Sequence, residues 1–433
     1  MQQRQAAHRL AVLADHLSAA GAASGPSPLE TGFTAATSQK CPDDIVIVKS
    51  VRTAVGKAGR GSFKDTAPDN LLAPLLKHVL ETTPQVKPEQ IGDVVVGMVL
   101  PKGGQGATEA RIACLLAGIP QEVPVTTVNR QCSSGLQAIA NVAAAIKAGF
   151  YEIGIAGGVE SMSMNSMGWD GAVNPEALKH DLAKNCYLPM GITSENVAAK
   201  YGISREKQDA MAADSHRKAA EAIKSGRFKD EIVPITINVE DPNTKEVKTI
   251  TVSQDEGVRE GTTAEKLAKL RPAFKPDGGS TTAGNASQLS DGAAVALLTK
   301  RSTAERLGLP ILGTLRSFSA VGVDPAVMGI GPAVAIPDAV RRAGLRLEDI
   351  DVYEINEAFA SQATYCVEKL GLPMEKVNPN GGAIALGHPL GCTGARMTAT
   401  LLHELKRRKA RYGVVSMCIG TGMGAAAVYE AEL

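Results

Sequence analysis

Three side chains of this 433-residue chain stand where nucleophilic and proton-transfer chemistry is possible: Cys132, His388 and Cys418. Cys132 falls between a strand-like run, Val125-Thr126-Thr127-Val128, and an Ala-rich helical stretch starting near Ser134. A thiol at that junction lies at a helix N-terminus, where the macrodipole and free N–H groups favour the thiolate. The same N–H groups can stabilise an oxyanion, and Ser133, Ser134 and Gly135 keep the approach uncrowded. His388 follows Gly381-Gly382-Ala383-Ile384-Ala385-Leu386-Gly387 and precedes Pro389-Leu390-Gly391. Histidine is the natural base for a thiol, and glycines on both sides let backbone or substrate come close. Cys418 closes an apolar run and opens the loop Ile419-Gly420-Thr421-Gly422-Met423-Gly424. Each of the three also has a plain structural reading as a buried thiol or core imidazole, and spacing alone leaves both readings open.

Other chemistries fit less well. The seven cysteines (Cys41, Cys114, Cys132, Cys186, Cys366, Cys392 and Cys418) are odd in number and form no Cys-x-x-Cys. No metal site or disulfide framework is expected, and a reducing compartment fits better. The Gly422-Met423-Gly424 loop is a weak dinucleotide signal. Ala425-Ala426-Ala427-Val428-Tyr429 after it reads as a strand rather than the helix of a βαβ unit, so NAD is not expected. A net charge of +1 and 3% aromatic residues give neither the basic field nor the stacking surfaces of a nucleic-acid binder. No apolar run approaches the roughly 20 residues that span a membrane.

The elements that must position these residues alternate. Asp93–Val96, Tyr151–Ala156, Asp351–Ile355 and Tyr412–Met417 read as buried strands, and Asn70–Leu80, Ser134–Ala148, Ala333–Ala343 and Gly394–Leu405 as helices. Such alternation predicts an α/β layered fold. A strand opening at Ile91 is followed by the Cys132 helix and a strand at Tyr151. A strand opening at Asp349 is followed by the His388 helix and a strand at Tyr412. Matching order and spacing suggest two related halves, with chance similarity among α/β units as the alternative. Residues 164–289 differ in composition. They hold a helix capped by Ser204 and two strand-like runs, Ile232–Val239 and Lys248–Val252, flanking Asp241-Pro242-Asn243-Thr244. An inserted subdomain is expected there.

Four segments go further. Asn129-Arg130-Gln131-Cys132-Ser133-Ser134-Gly135 resembles the nucleophile motif of thiolases. Asn356-Glu357-Ala358-Phe359, Gly387-His388-Pro389-Leu390-Gly391 and Cys418-Ile419-Gly420-Thr421-Gly422-Met423-Gly424 resemble three further motifs of that family, in family order. The similarity covers about residues 44 to 433 and is closest in wording to the family's peroxisomal branch. It implies a thiolase fold: two similar βαβαβ-type halves in a layered αβαβα arrangement with an inserted loop subdomain. The expected division is a leader at 1–42, an N-terminal domain at 43–163 plus 290–308, an insertion at 164–289 and a C-terminal domain at 309–433.

The resemblance also implies roles. Cys132 would attack the 3-oxo carbon of a 3-oxoacyl-CoA and hold the acyl group, His388 would serve as its base and activate the incoming CoA thiol, and Cys418 would be the acid/base at the α-carbon. Such a covalent intermediate implies ping-pong kinetics. Asn356 with a water and His388 would form one oxyanion site, and the N–H groups of Cys132 and Gly420 the other. CoA would be a co-substrate, with no permanently bound cofactor. Ser287, in Thr282-Ala283-Gly284-Asn285-Ala286-Ser287, would contact the pantetheine arm, and Arg259 the CoA nucleotide. Phe274 and Phe359 would pack on the acyl or pantetheine chain, with core packing as the alternative. Met190 joins this set. Pro189 stands where short-chain relatives often carry His, which leans toward the degradative, broad-chain branch. A condensing synthase on the same fold, a short-chain thiolase, a non-catalytic acyl-CoA-binding relative and a Cys132 hydrolase are the rivals. Cys418 with its loop, and the presence of all three reactive residues, argue against them.

Near the N-terminus, Arg9-Leu10 and His16-Leu17 resemble a peroxisomal targeting nonapeptide, implying an import receptor as partner and a peroxisomal location. A mitochondrial leader is the alternative. The C-terminal Ala431-Glu432-Leu433 does not match a Ser-Lys-Leu address. Family members are usually dimers, so a homodimer is expected.

Overall fold

The computed structural model describes residues 40–101, 103–168, 171–240 and 244–432. The targeting motif with Arg9, Leu10, His16 and Leu17 lies outside the described residues, as do Asp241, Pro242 and Asn243. The strands are β1 Ile45–Arg52, β2 Gly56–Lys57, β3 Ile91–Gly97, β4 Val125–Val128, β5 Ile153–Ser161, β6 Ile235–Glu240, β7 Val247–Val252, β8 Ser290–Lys300, β9 Gly313–Gly322, β10 Val352–Ile355, β11 Tyr412–Ile419 and β12 Met423–Ala431. The helices are α1 Pro68–Thr82, α2 Ala107–Leu116, α3 Ser134–Lys147, α4 Pro175–Lys179, α5 Met190–Tyr201, α6 Arg205–Lys224, α7 Ala264–Leu267, α8 Arg301–Arg306, α9 Gly331–Arg342, α10 Ala360–Leu370, α11 Ala383–Leu386 and α12 Leu390–Arg408.

The main sheet runs β4-β3-β5-β8-β1 and continues as β9-β12-β11-β10. Its two parts meet through only two residue pairs, Val46 with Thr314 and Ile47 with Gly313. Each part has the same plan. β3 and β5 are parallel, and β8 and β1 follow antiparallel. β10 and β11 are parallel, and β12 and β9 follow antiparallel. Even the edge strand β4, parallel to β3, has a remnant counterpart in the parallel bridge of Tyr353 with Val377. The repeat expected from spacing is therefore present in strand order and direction.

Alternation along the strands decides which layer each side chain enters. Val94, Val96, Ile155 and Val159 pack with α1 and α2 on one outer face. Val95 and Ala156 point the other way, into a core shared by α3, α12 and the β11–β12 residues Val415, Met417, Ala425 and Ala427. Tyr353, Ile355, Val414 and Val428 face α9 and α10 on the far side. The layers thus run α-β-α-β-α. α12 lies in the middle and is buried around nearly its whole circumference, as a helix between two sheets must be. Leu401, Leu402 and Leu405 are fully buried, each contributing about 1.5–3 kcal/mol.

Boundaries differ in instructive places. α12 begins at Leu390, four residues before the expected Gly394. Gly391 and Gly394 have poor helix propensity, but packing against Gly97 and Leu136 requires residues without a Cβ there. The hairpin strand β6 begins at Ile235, not Ile232, because Ile232 bridges Arg52 of β1 and Pro234 follows. The hairpin itself pairs as expected, Ile235 with Val252 through Glu240 with Val247. Ser204 caps α6 by accepting from the Lys207 N–H.

The segments around Glu231 and Asp255 are fastened to β1 by one buried cation. Arg52 Nε donates to Glu231 at 2.6 Å, and its two terminal nitrogens bind Asp255 at 2.7 and 2.9 Å. All three residues are buried.

Candidate active site

Cys132 is half-buried on a tight turn joining β4 to α3. Asn129 Oδ1 accepts from the Gln131 N–H at 2.9 Å, which supports the left-handed Gln131 (φ 48°). The Ser133 and Ser134 N–H groups donate back to Arg130 and Gln131. Cys132 therefore projects just ahead of the first turn of α3. Burial pushes its thiol up to about 11, opposed by the backbone N–H groups of Gly420 and of Cys132 itself. Desolvation thus works against the thiolate-favouring effect expected of the helix start.

Gly420 sits in the three-residue loop between β11 and β12, closed by the pair Ile419 with Met423. Thr421 and Gly422 carry the positive φ angles of that turn, 67° and 90°. A Cβ at Gly420 would face Met190 Sδ at 3.6 Å and Gln131 Cγ at 3.8 Å, so this loop lies against the Cys132 turn. Cys418, at the end of β11, is fully buried among Met328, Ala358 and Phe359, with Met190 and Ala286 beside them. Burial raises its thiol well above the usual range, and the nearby Cys132 and Cys366 add to the rise. It is a protonated thiol at neutral pH.

His388 is buried ahead of α12. Its Nδ1 lies 2.7 Å from Thr393 Oγ1, whose own proton goes to the Pro389 carbonyl at 2.9 Å. Thr393 therefore accepts from Nδ1–H, which leaves the lone pair on Nε2. That nitrogen meets Asn356 Nδ2 at 3.2 Å. Burial, then the Arg396 charge, lowers the imidazole to about 3. Arg396 lies 3.6 Å from the buried Glu354. Asn356 is fixed at the end of β10 by its N–H to the Ser416 carbonyl, and its buried Oδ1 has no hydrogen-bond partner among the described residues. Burial pushes the Glu354 carboxyl to about 8 against the opposing Arg396 charge.

Of the expected substrate-binding residues, four gather here. Ser287 is half-buried, its N–H donating to the Ala358 carbonyl, and Ala286 bridges Phe359. Phe359 is 8% exposed and Phe274 42% exposed, stacked edge to face at 6.2 Å. Phe274 covers Gly191, beside Met190. Arg259 stands apart. With Lys57, Arg60, Gly61, Ser62 and Glu256 it lines a surface cavity of about 560 Å³. Its link to the centre is indirect: Gln288 Nε2 donates to the Gly257 carbonyl, and Gln288 O accepts from the His388 N–H. Sequence reasoning missed Thr393, Arg396, Gln288 and Glu160. Glu160 did carry a signal, as the one charged residue in the apolar run Ile153–Ser161.

Models describing the thiolase N-terminal and C-terminal domains match residues 45–302 and 309–431. The chain is 64% identical over 390 residues to the peroxisomal 3-ketoacyl-CoA thiolase 1 of Arabidopsis thaliana, covering 90% of this chain and 88% of the relative. It is 62% identical over 427 residues to the peroxisomal 3-ketoacyl-CoA thiolase A of Rattus norvegicus, covering 98% and 97%. The solved dimeric peroxisomal thiolase of Saccharomyces cerevisiae superposes with a TM-score of 0.83 at 51% identity, covering 91% of this chain and 99% of that one.

Proposed function

This chain belongs to the thiolase family, and from that premise we propose that it is a 3-oxoacyl-CoA thiolase of peroxisomal fatty acid β-oxidation. It is an acyltransferase that cleaves 3-oxoacyl-CoA with CoA to acetyl-CoA and an acyl-CoA two carbons shorter. The observation that supports this most directly is the meeting of the two thiol-bearing segments: the Gly420 loop, two residues after the buried Cys418, lies against the Gln131–Cys132 turn.

Cys132 Sγ attacks the 3-oxo carbon while His388 Nε2 takes its proton. The resting pair is a neutral thiol and a neutral imidazole, so the proton moves only as the bond to carbon develops. The alkoxide forms where the Cys132 and Gly420 N–H groups donate, which lowers the barrier because these donors are already in place. The C2–C3 bond then breaks, leaving the acyl group on sulfur and an electron pair on C2. The resulting enolate oxygen accepts from the newly formed His388 Nε2–H and from a water held by Asn356 Oδ1. Cys418 gives its proton to C2, acetyl-CoA departs, and His388 restores the Cys418 proton. CoA thiol then gives its proton to His388 and attacks the acyl carbon. Cys132 leaves and takes that proton back.

Met190, Phe274, Phe359 and Ser287 line the approach of the acyl and pantetheine chains, and Arg259 receives the CoA nucleotide. Residues 43–163 with 290–308, and 309–433, are the two thiolase domains, and 164–289 the inserted loop domain. A homodimer forms along the exposed edge strand β4, beside which Ile112, Leu115 and Leu116 of α2 face outward. The leader is read by the peroxisomal import receptor.

Thiolysis of a medium-chain 3-oxoacyl-CoA, with both products identified, tests the reading. Acetyl-CoA and the shortened acyl-CoA are expected only when free CoA is present. Free acid formed without CoA would make the protein a hydrolase.

A further inference from the structure

Glu160 is fully buried near the end of β5, on the face where Gly158 backs directly onto the Gly391 carbonyl. Its carboxylate accepts three backbone N–H bonds, from Val99 and Leu100 at 3.1 Å each and from Gly391 at 2.9 Å. These donors lead to both reacting groups. The Val99 carbonyl accepts from Asn129 Nδ2 at 3.2 Å, and the Met98 N–H donates to the Val128 carbonyl. Asn129 Oδ1 in turn holds the Gln131 N–H, next to Cys132. On the other side, Gly391 lies in the first turn of α12, three residues after His388. One carboxylate thus connects the turn that supports the nucleophile to the helix start that carries the base.

We propose that Glu160 is a positioning residue that sets the Cys132–His388 geometry by holding the N–H groups of Val99, Leu100 and Gly391 on a single carboxylate. This rests on Cys132 and His388 being the reacting pair. The ionised group serves all three donors best, because protonation makes one oxygen a hydroxyl, a weaker acceptor that brings its own proton in among three N–H groups. Burial raises this carboxyl to about 7, with the three N–H bonds opposing the rise. The clamp is therefore complete above neutrality and loosens as pH falls through about 7.

The groups facing Glu160 do not replace it. Cys132 ahead of α3 and Cys392 on α12 are raised thiols that feel its charge. Arg396 of α12 lies near Glu354 of β10. On β8 the residue opposite is Gly292, and neighbouring Asp291 is bound to Ser163. β3 presents only Val94 to Gly97 and then Met98 toward this end.

The test compares wild type, Glu160→Gln, Glu160→Asp and Cys132→Ser, measuring kcat and KM for thiolysis between about pH 5.5 and 8.5. Glutamine keeps the shape but turns an N–H₂ toward a backbone donor. In wild type, kcat is expected to fall on acidification with an apparent pKa near 7. E160Q should lose that limb and drop kcat on the order of ten- to a hundredfold with KM nearly unchanged. E160D should regain a titrating limb at reduced rate. Wild-type kcat in E160Q, or the same acid limb in it, overturns the proposal. If E160Q does not fold, a flat wild-type profile through neutrality overturns it. An inactive C132S beside a fully active E160Q would refute only the positioning role, whereas an active C132S would refute the reaction itself.

Discussion

Gly135 in the first turn of α3 lies against the Gly391 carbonyl in the first turn of α12, so closely that a Cβ at Gly135 would come within 2.6 Å of that oxygen and 2.9 Å of the Ala395 nitrogen. Cys132 and His388 each stand three residues before this crossing. The two helices occupy equivalent places in the two halves of the repeat. Duplicated architecture thus delivers the nucleophile and the base from two helix starts, and the crossing sets how near they come.

Gly135→Ala should therefore do two things. The added methyl meets backbone atoms that cannot turn aside, which costs about 1–3 kcal/mol of stability. It also displaces one helix start relative to the other, so turnover should fall while folded protein remains. Urea unfolding and kcat on the same preparation check this, and an alanine variant equal to wild type in both would show that the crossing tolerates a methyl.

Arg52→Met leaves Glu231 and Asp255 buried without their cation. Breaking a buried ion cluster from one side costs about 3–5 kcal/mol. Denaturant melts should show that loss, with the segments around Glu231 and Asp255 loosened first in hydrogen exchange. A loss under about 1 kcal/mol would mean that the two carboxyls accept protons or water without penalty.

The Cys132 thiol sits near 11, so in the free enzyme its thiolate fraction grows about tenfold per pH unit below that value. Iodoacetamide alkylation of Cys132, followed by peptide mass, should climb steadily through pH 8 to about 10 without levelling. A plateau already at neutral pH would show that a thiolate is present at rest and that the helix start, not burial, governs the acidity.

Cys418→Ala removes the proton donor but leaves Cys132, Gly420 and His388 in place. The variant should still take an acyl group from a simple acyl-CoA, yet exchange α-protons of acetyl-CoA at least about a hundredfold more slowly. Exchange at the wild-type rate would remove Cys418 from proton transfer at carbon.

Much of this site was legible because its parts are local. Cys132 with its turn, His388 with its flanking glycines and the Cys418 loop are contiguous segments whose residue types state their chemistry. What escaped was non-local. Thr393 matters only because α12 begins early enough to bring it under His388, and that start was hidden by Gly391 and Gly394, which look unhelical until their packing is known. The Cys132 thiol was expected to be acidified by its helix, but desolvation is set by which other segments cover it. Arg259 was named only because the resemblance implies a position near the CoA nucleotide, and it lines a separate surface cavity with Lys57 and Arg60, neither of which has a local motif. Glu160 was visible as a charge in an apolar strand, but its meaning depends on the Gly391 N–H, far away in sequence.

The most direct test is to mix the protein with a saturated acyl-CoA in the absence of free CoA, quench in acid, digest and locate the acyl group by mass. One acyl group on the peptide containing Cys132, absent in Cys132→Ser and discharged when CoA is added, is the predicted result. Acylation at Cys418 instead, or thiolysis products formed with no acyl group ever found on Cys132, would contradict the account.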